Sequence, residues 1–154
     1  MAKAYIALGT NMGNCEENIK NAITALSLLP ETKVLKISSL YETDPWGYEA
    51  QNCFLNGAVM VETKLSPSAL LGGLLGIEAA MGRVRTIKNG PRVIDLDLLY
   101  YEGVTLNTKE LTLPHPGLFE RAFVLCPLCD IAEEECFKTA LKGLDKSGVR
   151  PYEA

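Results

Sequence analysis

The spacing of apolar positions divides the chain into alternating and helical stretches. Residues 3–9 alternate weakly, Tyr5 and Ala7 against Ile6 and Leu8, and predict a first strand ending at Gly9. Ile19, Ala22, Ile23 and Leu26 then recur at i, i+3, i+4 and i+7. With Asn14 as cap, Glu17 in the first turn and Pro30 as stop, they predict a helix over 15–29. Val34–Tyr41 and Phe54–Thr63 predict a second and a third strand, joined by the connection 42–52. Ser66-Pro67 opens a second helix, 67–81, which Gly82 closes. Leu70, Leu74, Ile77 and Met81 form its apolar stripe, and Glu78 falls at the border of that stripe, where an acid needs a partner. Gly72, Gly73 and Gly76 inside this helix each cost about 1 kcal/mol against alanine, which predicts a close approach by another backbone or a ligand.

Residues 94–101 predict a further strand. Glu102-Gly103 turns it into Val104–Leu106 as a short hairpin, and Lys109–Leu113 adds a short strand. Pro114-His115-Pro116-Gly117 forces an irregular turn. One helical turn is expected over 118–122, a partly helical apolar run over 123–131, and a helix over 133–144 with acids first and lysines last. The tail from Asp145 reads as frayed. The order strand, helix, strand, strand, helix, strand predicts one α+β domain over 1–154. Its expected architecture is a ferredoxin-like βαββαβ sandwich, a mainly antiparallel sheet with helices packed on it and C-terminal additions.

Composition narrows what such a domain can do. The 154 residues are 47% hydrophobic with a mean hydropathy of +0.08, enough for a core and against disorder. A net charge of −4 and a pI near 5.1 give no general attraction to nucleic acid or anionic membrane, so a polyanion site needs a local group of cations. Arg83, Arg85, Lys88 and Arg92 supply one. With no apolar run approaching ~18 residues and no export signal at the start, a cytoplasmic monomer without nucleic-acid or membrane partners is expected. The cysteine count, five, is odd and the residues are scattered, which favours free thiols. Cys126 and Cys129 have C-x-x-C spacing but lie in the apolar run, and read as packing residues rather than a zinc or redox site.

The candidate chemistry lies in Gly90–Leu99, where Gly90-Pro91-Arg92 leads into a strand carrying Asp95 and Asp97. Side chains two apart on a strand share a face, so the two acids project together, about 7 Å apart at the backbone, while Ile94, Leu96 and Leu98 face the core. Paired acids in an apolar strand repel and lose hydration unless cations sit between them. A divalent metal pair is one reading; an edge strand with solvated acids is the other, and Arg92 upstream favours the first because it needs its own anion. Acids that hold metal and arginines that hold phosphate suit a Mg²⁺-chelated polyphosphate. His115, the single histidine, reads either as a turn residue or as a phosphate contact beside Arg121. The loop around Pro45, Trp46, Gly47 and Tyr48 reads either as a flap that stacks on a flat ligand or as a loop folded back on the core. The lysine of a P-loop is missing after Gly9–Asn14, which reads as a turn and helix cap.

Gly90-Pro-Arg-Val-Ile-Asp-Leu-Asp-Leu-Leu resembles the signature of the 6-hydroxymethyl-7,8-dihydropterin pyrophosphokinases of folate biosynthesis. The likeness extends through Ala4–Asn11, Ser38–Thr43, Phe54–Ala58, Gly82–Arg85, Leu113–Pro116 and Arg121–Val124. It implies pyrophosphoryl transfer from ATP to the pterin's hydroxymethyl oxygen, with release of AMP. On this resemblance Asp95 and Asp97 hold two Mg²⁺ ions, and Arg83 and Arg92 neutralise the phosphates. His115, Arg121, Arg85 and Glu78 would also serve ATP, and Leu111 and Thr112 would line the adenine pocket. The pterin would lie between Phe54 and Phe123, bonded by Asn56 and by the segment Thr43 to Trp46, Pro45 included. The chain departs from many relatives at Asn89, where they carry a tryptophan, and at Glu110, where some carry an arginine that Lys109 could replace. An RNA-binding sheet fits poorly with an acidic sheet face, and a nucleotide hydrolase leaves the aromatic pair without a purpose.

Overall fold

The computed structural model describes residues 1–45, 51–82 and 91–153. Strand β1 (Ala2–Thr10) lies inside the main sheet, hydrogen-bonded on both edges, which suits its nearly continuous run of buried residues. On one side it pairs antiparallel with β4 (Phe54–Thr63), and on the other with β5 (Asp95–Tyr101). Along the far edge of β4 run β2 (Thr32–Ile37) and β3 (Tyr41–Thr43), also antiparallel. With α1 (Cys15–Ser27) after β1 and α2 (Pro67–Ala80) after β4, the arrangement is the ferredoxin-like fold.

The helices begin where the capping residues place them. Asn14 accepts a hydrogen bond from Glu17 N at 3.1 Å, and Ser66 accepts one from Ala69 N at 3.2 Å ahead of Pro67. Gly82 follows the second helix with φ +87°, a left-handed conformation that favours glycine. Ile19, Ala22 and Leu26 of α1 and Leu70, Leu74 and Ile77 of α2 pack on Ile6, Leu8, Val59, Leu96 and Leu98. The opposite sheet face carries Tyr5, Ala58, Met60 and Leu99. It is covered by Leu118 in a 3-10 turn, by α3 (Ala122–Ile131) and by Phe137 of α4 (Glu135–Lys142). A register shift opposite Tyr5 and Ile6 makes Leu99 an extra residue and reverses the alternation of β5 beyond it. Tyr100 therefore joins Tyr5 on one face, their rings 5.5 Å apart, and Tyr101 reaches Leu65 O on the other at 2.6 Å. Burial and the Glu134 carboxylate, 2.7 Å away, push the Tyr5 phenol above its ordinary range.

Four expectations change. The strand foreseen over 34–41 is two strands, because Ser38 breaks it: its N–H donates to Ala58 O at 2.9 Å while its Oγ accepts from Ala58 N at 2.8 Å. The tail is not frayed from Asp145; Val149–Pro151 form a strand that pairs with Tyr41–Thr43 and completes the sheet edge. The hairpin after β5 is made instead by β6 (Leu106–Asn107) and β7 (Thr112–Leu113), so the tail strand is β8. The nearest neighbour of the α2 glycines is a side chain and not a backbone: a Cβ at Gly73 would lie only 3.0 Å from Leu29, and one at Gly72 or Gly76 would meet nothing among the described residues.

Ser38 also donates from Oγ to Ser39 O at 2.8 Å and is 7% exposed, so truncating it leaves Ala58 N–H buried without its acceptor. Ser38→Ala is expected to lower unfolding free energy by about 1–3 kcal/mol in urea denaturation. An unchanged midpoint would show that this hydroxyl does not carry the strand break.

Candidate active site

Register builds the site. Gly9 lies directly between Asp95 of β5 and Asn56 of β4, and Ala7 between Asp97 and Ala58, so the acids and the amide rise from one face. A Cβ at Gly9 would come within 2.7 Å of Asn56 Oδ1; glycine is what lets the amide sit there. Asn56 is 8% exposed and donates to Thr43 Oγ1 at 2.6 Å, which joins β4 to the end of β3. Phe54 stands two residues before Asn56 on the same face, and Phe123 arrives from the start of α3. These residues, with Gly9, Asp44, Arg92, Arg121, Asp95 and Asp97, line one cleft.

A second cleft also reaches Asp97. Leu71 and Leu75 of α2, Leu96 and Leu98, and Lys109–Thr112 with His115 and Pro116 line it. Asp97 is common to both clefts. His115 is held by its N–H to Leu99 O at 2.8 Å, and its Nδ1 accepts from Gly117 N at 3.1 Å, so the neutral ring carries its hydrogen on Nε2. Burial, and secondarily Arg121, hold the imidazole below its ordinary value, with Asp95 opposing. Arg121 packs on Gly117, where a Cβ would lie 2.6 Å from its guanidinium carbon.

Arg92 Nη1 meets Asp95 Oδ2 at 3.1 Å and its guanidinium lies 5.4 Å from the Phe54 ring centroid, so part of the anion that Arg92 requires is Asp95 itself. Its backbone is clasped by Asn11. Asn11 N donates to Arg92 O at 3.1 Å, and Arg92 N donates to Asn11 Oδ1 at 2.9 Å. The Asn11 amide also donates to Gln51 Oε1 at 2.8 Å and Asn52 O at 3.1 Å, so one buried side chain joins the segments that lead to Arg92 and Phe54 of the first cleft. Sequence reasoning took this stretch for a turn and cap. Asn14 is the cap; Asn11 carries no periodicity signal because its partners are distant in sequence.

Thr43, Phe54, Asn56, Arg92, Asp95, Asp97, Arg121 and Phe123 come together in the first cleft, and Leu111, Thr112 and His115 in the second. Pro45 is half-buried at the end of the described segment. Trp46, Arg83 and Arg85, and with them Lys88 and Asn89, lie outside the described residues. Glu78 is 3% exposed, and its Oε2 accepts from Leu96 N at 2.8 Å, at a residue that lines the second cleft. β5 is an edge strand, and this carboxylate satisfies one of its outward N–H groups. Lys109 and Glu110 both line the second cleft. The cysteines are free, and Cys126 and Cys129 sit half-buried on α3 with thiols pushed up by burial. Among the described residues no group of three acids, cysteines or histidines is gathered for a metal, so a cation here would rest on Asp95 and Asp97 and on oxygens from its ligand.

Fold and site define a ferredoxin-like α+β enzyme with paired strand carboxylates in one cleft, one of which, Asp97, also lines a second. The sequence profile of the 7,8-dihydro-6-hydroxymethylpterin-pyrophosphokinase family matches residues 5–133. The chain belongs to that family. It is 44% identical to the 2-amino-4-hydroxy-6-hydroxymethyldihydropteridine pyrophosphokinase of Methylorubrum extorquens, over 99% of this chain and all of that one. It is 42% identical to the protein of the same name in Bacillus subtilis, over 97% and 89%. Among solved structures, an HPPK-DHPS in complex with substrates superposes with a TM-score of 0.67 at 17% identity, over 92% of this chain and 43% of that one. Plasmodium falciparum HPPK-DHPS with SDX-DHP gives 0.68 at 15%, over 98% and 47%. At those identities the likeness concerns the fold, and the chain spans under half of each.

The His115 environment sets a pH dependence. The unfolded ring takes up its proton near 6.5, whereas the folded ring resists until a lower pH. The resulting stabilisation is complete above that value and is lost as pH falls through the window below it. An NMR titration of this single imidazole is expected to show a midpoint below 6.5; a midpoint above it would mean that Asp95 outweighs burial and Arg121.

Proposed function

We propose that the protein transfers a pyrophosphoryl group from ATP to the hydroxymethyl oxygen of 6-hydroxymethyl-7,8-dihydropterin, giving AMP and the pterin diphosphate for folate biosynthesis. The observation that carries this is the position of Asp97, shared by a cleft with aromatic walls and an amide and by a second cleft with apolar walls and a neutral imidazole. Two substrates held on either side of one acid can exchange a group there.

In the first cleft Phe54 and Phe123 take the faces of the pterin and Asn56 its hydrogen-bonding edge, with Thr43, Pro45 and Trp46 beside it. In the second, Leu111 and Thr112 take the adenine. His115, through Nε2–H, and Arg121 bind phosphate oxygens, joined by Arg83, Arg85 and Arg92. The hydroxymethyl oxygen attacks the β-phosphorus in line. Its proton passes to solvent water, the bond from that phosphorus to the oxygen bridging to the α-phosphate breaks, and AMP leaves with the bridging oxygen. Asp95 and Asp97 fit Mg²⁺: their oxygens are hard donors, both line the first cleft, and the remaining ligands can come from phosphate and water. Two such ions would supply neutralisation of the triphosphate charge. The proposal places the enzyme in the cytoplasm as a monomer, with small molecules as partners.

The test is formation of AMP from ATP and Mg²⁺ with and without the pterin. AMP that requires pterin is expected; release of ADP, or loss of ATP without pterin, overturns the reading. Asp95→Ala and Asp97→Ala are each expected to lower turnover on the order of a hundredfold or more, with the circular dichroism spectrum kept because removing either acid relieves repulsion in β5.

A further inference from the structure

The last strand of the chain borders the first cleft without lining it. β8 pairs with β3, Val149 opposite Thr43 and Arg150 opposite Glu42, and the pairing continues outward as Asp44 N donates to Gly148 O at 2.9 Å. The Arg150 fork then spans several partners. Its Nε and Nη2 donate to Glu42 Oε1 at 3.0 and 2.7 Å, its Nη1 to Asp44 Oδ1 at 3.1 Å, and its Nη2 to Cys53 Sγ at 3.5 Å. One guanidinium thus joins both ends of the connection between β3 and β4. Asp44 lines the cleft, and Thr43 and Phe54, beside those ends, line it too.

We infer that Arg150 is a positioning residue for the pterin: from the C-terminal strand it sets the cleft wall formed by Thr43, Asp44 and Phe54. The inference rests on the proposed function. Without the guanidinium, Glu42 and Asp44 are like charges at the end of a very short strand and repel each other. The fit around Asp44 is close, since a Cβ at Gly148 would lie 3.2 Å from its Oδ2. The side chains of Arg150 and Glu42 are each 43% exposed and that of Asp44 59%, so water screens these pairs and their share of global stability is small. Their geometry still matters, because a planar fork fixes partners relative to one another where a single ammonium cannot. The second cleft takes no residue from β3 or β8, so the effect is confined to one substrate.

Steady-state kinetics of Arg150→Ala and Arg150→Lys test this. Arg150→Ala is expected to raise the pterin KM roughly tenfold while kcat and the ATP KM stay within about twofold and the melting temperature hardly moves. Arg150→Lys should fall between, since it restores charge without the fork. An unchanged pterin KM, or equal changes in both KM values and kcat, overturns the inference and leaves the proposed function standing. A wild-type protein that makes no pterin-dependent AMP overturns both. Should Arg150→Ala not fold, Arg150→Lys carries the same comparison: a raised pterin KM alone supports the inference, and no change overturns it.

Discussion

β1 is bonded along both edges, and its register against β5 and β4 decides what the sheet presents. Asp95, Gly9 and Asn56 form one row of that register, and Asp97, Ala7 and Ala58 the next. A slip of one residue would turn the acids into the core formed with α1 and α2 and bring Leu96 and Leu98 to the face of the first cleft. Leu96 between the acids and Leu98 beyond them prevent this, since they are at most 4% exposed. Hydrophobic burial thereby aims a pair of charges.

Around that row the site is assembled from pieces that arrive late in the chain. α3 brings Phe123 and the turn before it brings Arg121 and His115, because the second sheet face is covered by the C-terminal additions and not by either helix of the basic fold. Asn11 and Glu78 then satisfy backbone groups that the sheet does not pair, beside Arg92 ahead of β5 and at Leu96 on its open edge. Each is a buried polar group with its partners made, which favours one arrangement of the neighbouring chain over others. The positive charge of Arg92 is partly answered by Asp95, which keeps the paired acids from facing each other unscreened.

Membership of the pyrophosphokinase family ties this geometry to a group transfer between two small molecules. The two clefts differ in chemistry as the two substrates would: flat aromatic walls with an amide on one side, aliphatic walls with a neutral imidazole on the other.

Much of the design was legible in the sequence. The alternation of 94–98, the caps at Asn14 and Ser66, the stripes of α1 and α2 and the α+β order are local patterns, and local patterns survive into the fold because they follow from backbone period and capping. The acid pair, Arg92 and the aromatic pair were legible for the same reason or through the family resemblance. What the tertiary structure alone decided is contact between distant segments. Ser38 splits a strand because its hydroxyl meets Ala58; the tail is ordered because β3 has an open edge; Glu78 is drawn to an unpaired amide of β5; Asn11 finds Arg92 and Asn52. None of these pairings leaves a periodic trace, since a hydrogen bond between residues far apart in sequence is set by which surfaces the packed core brings together.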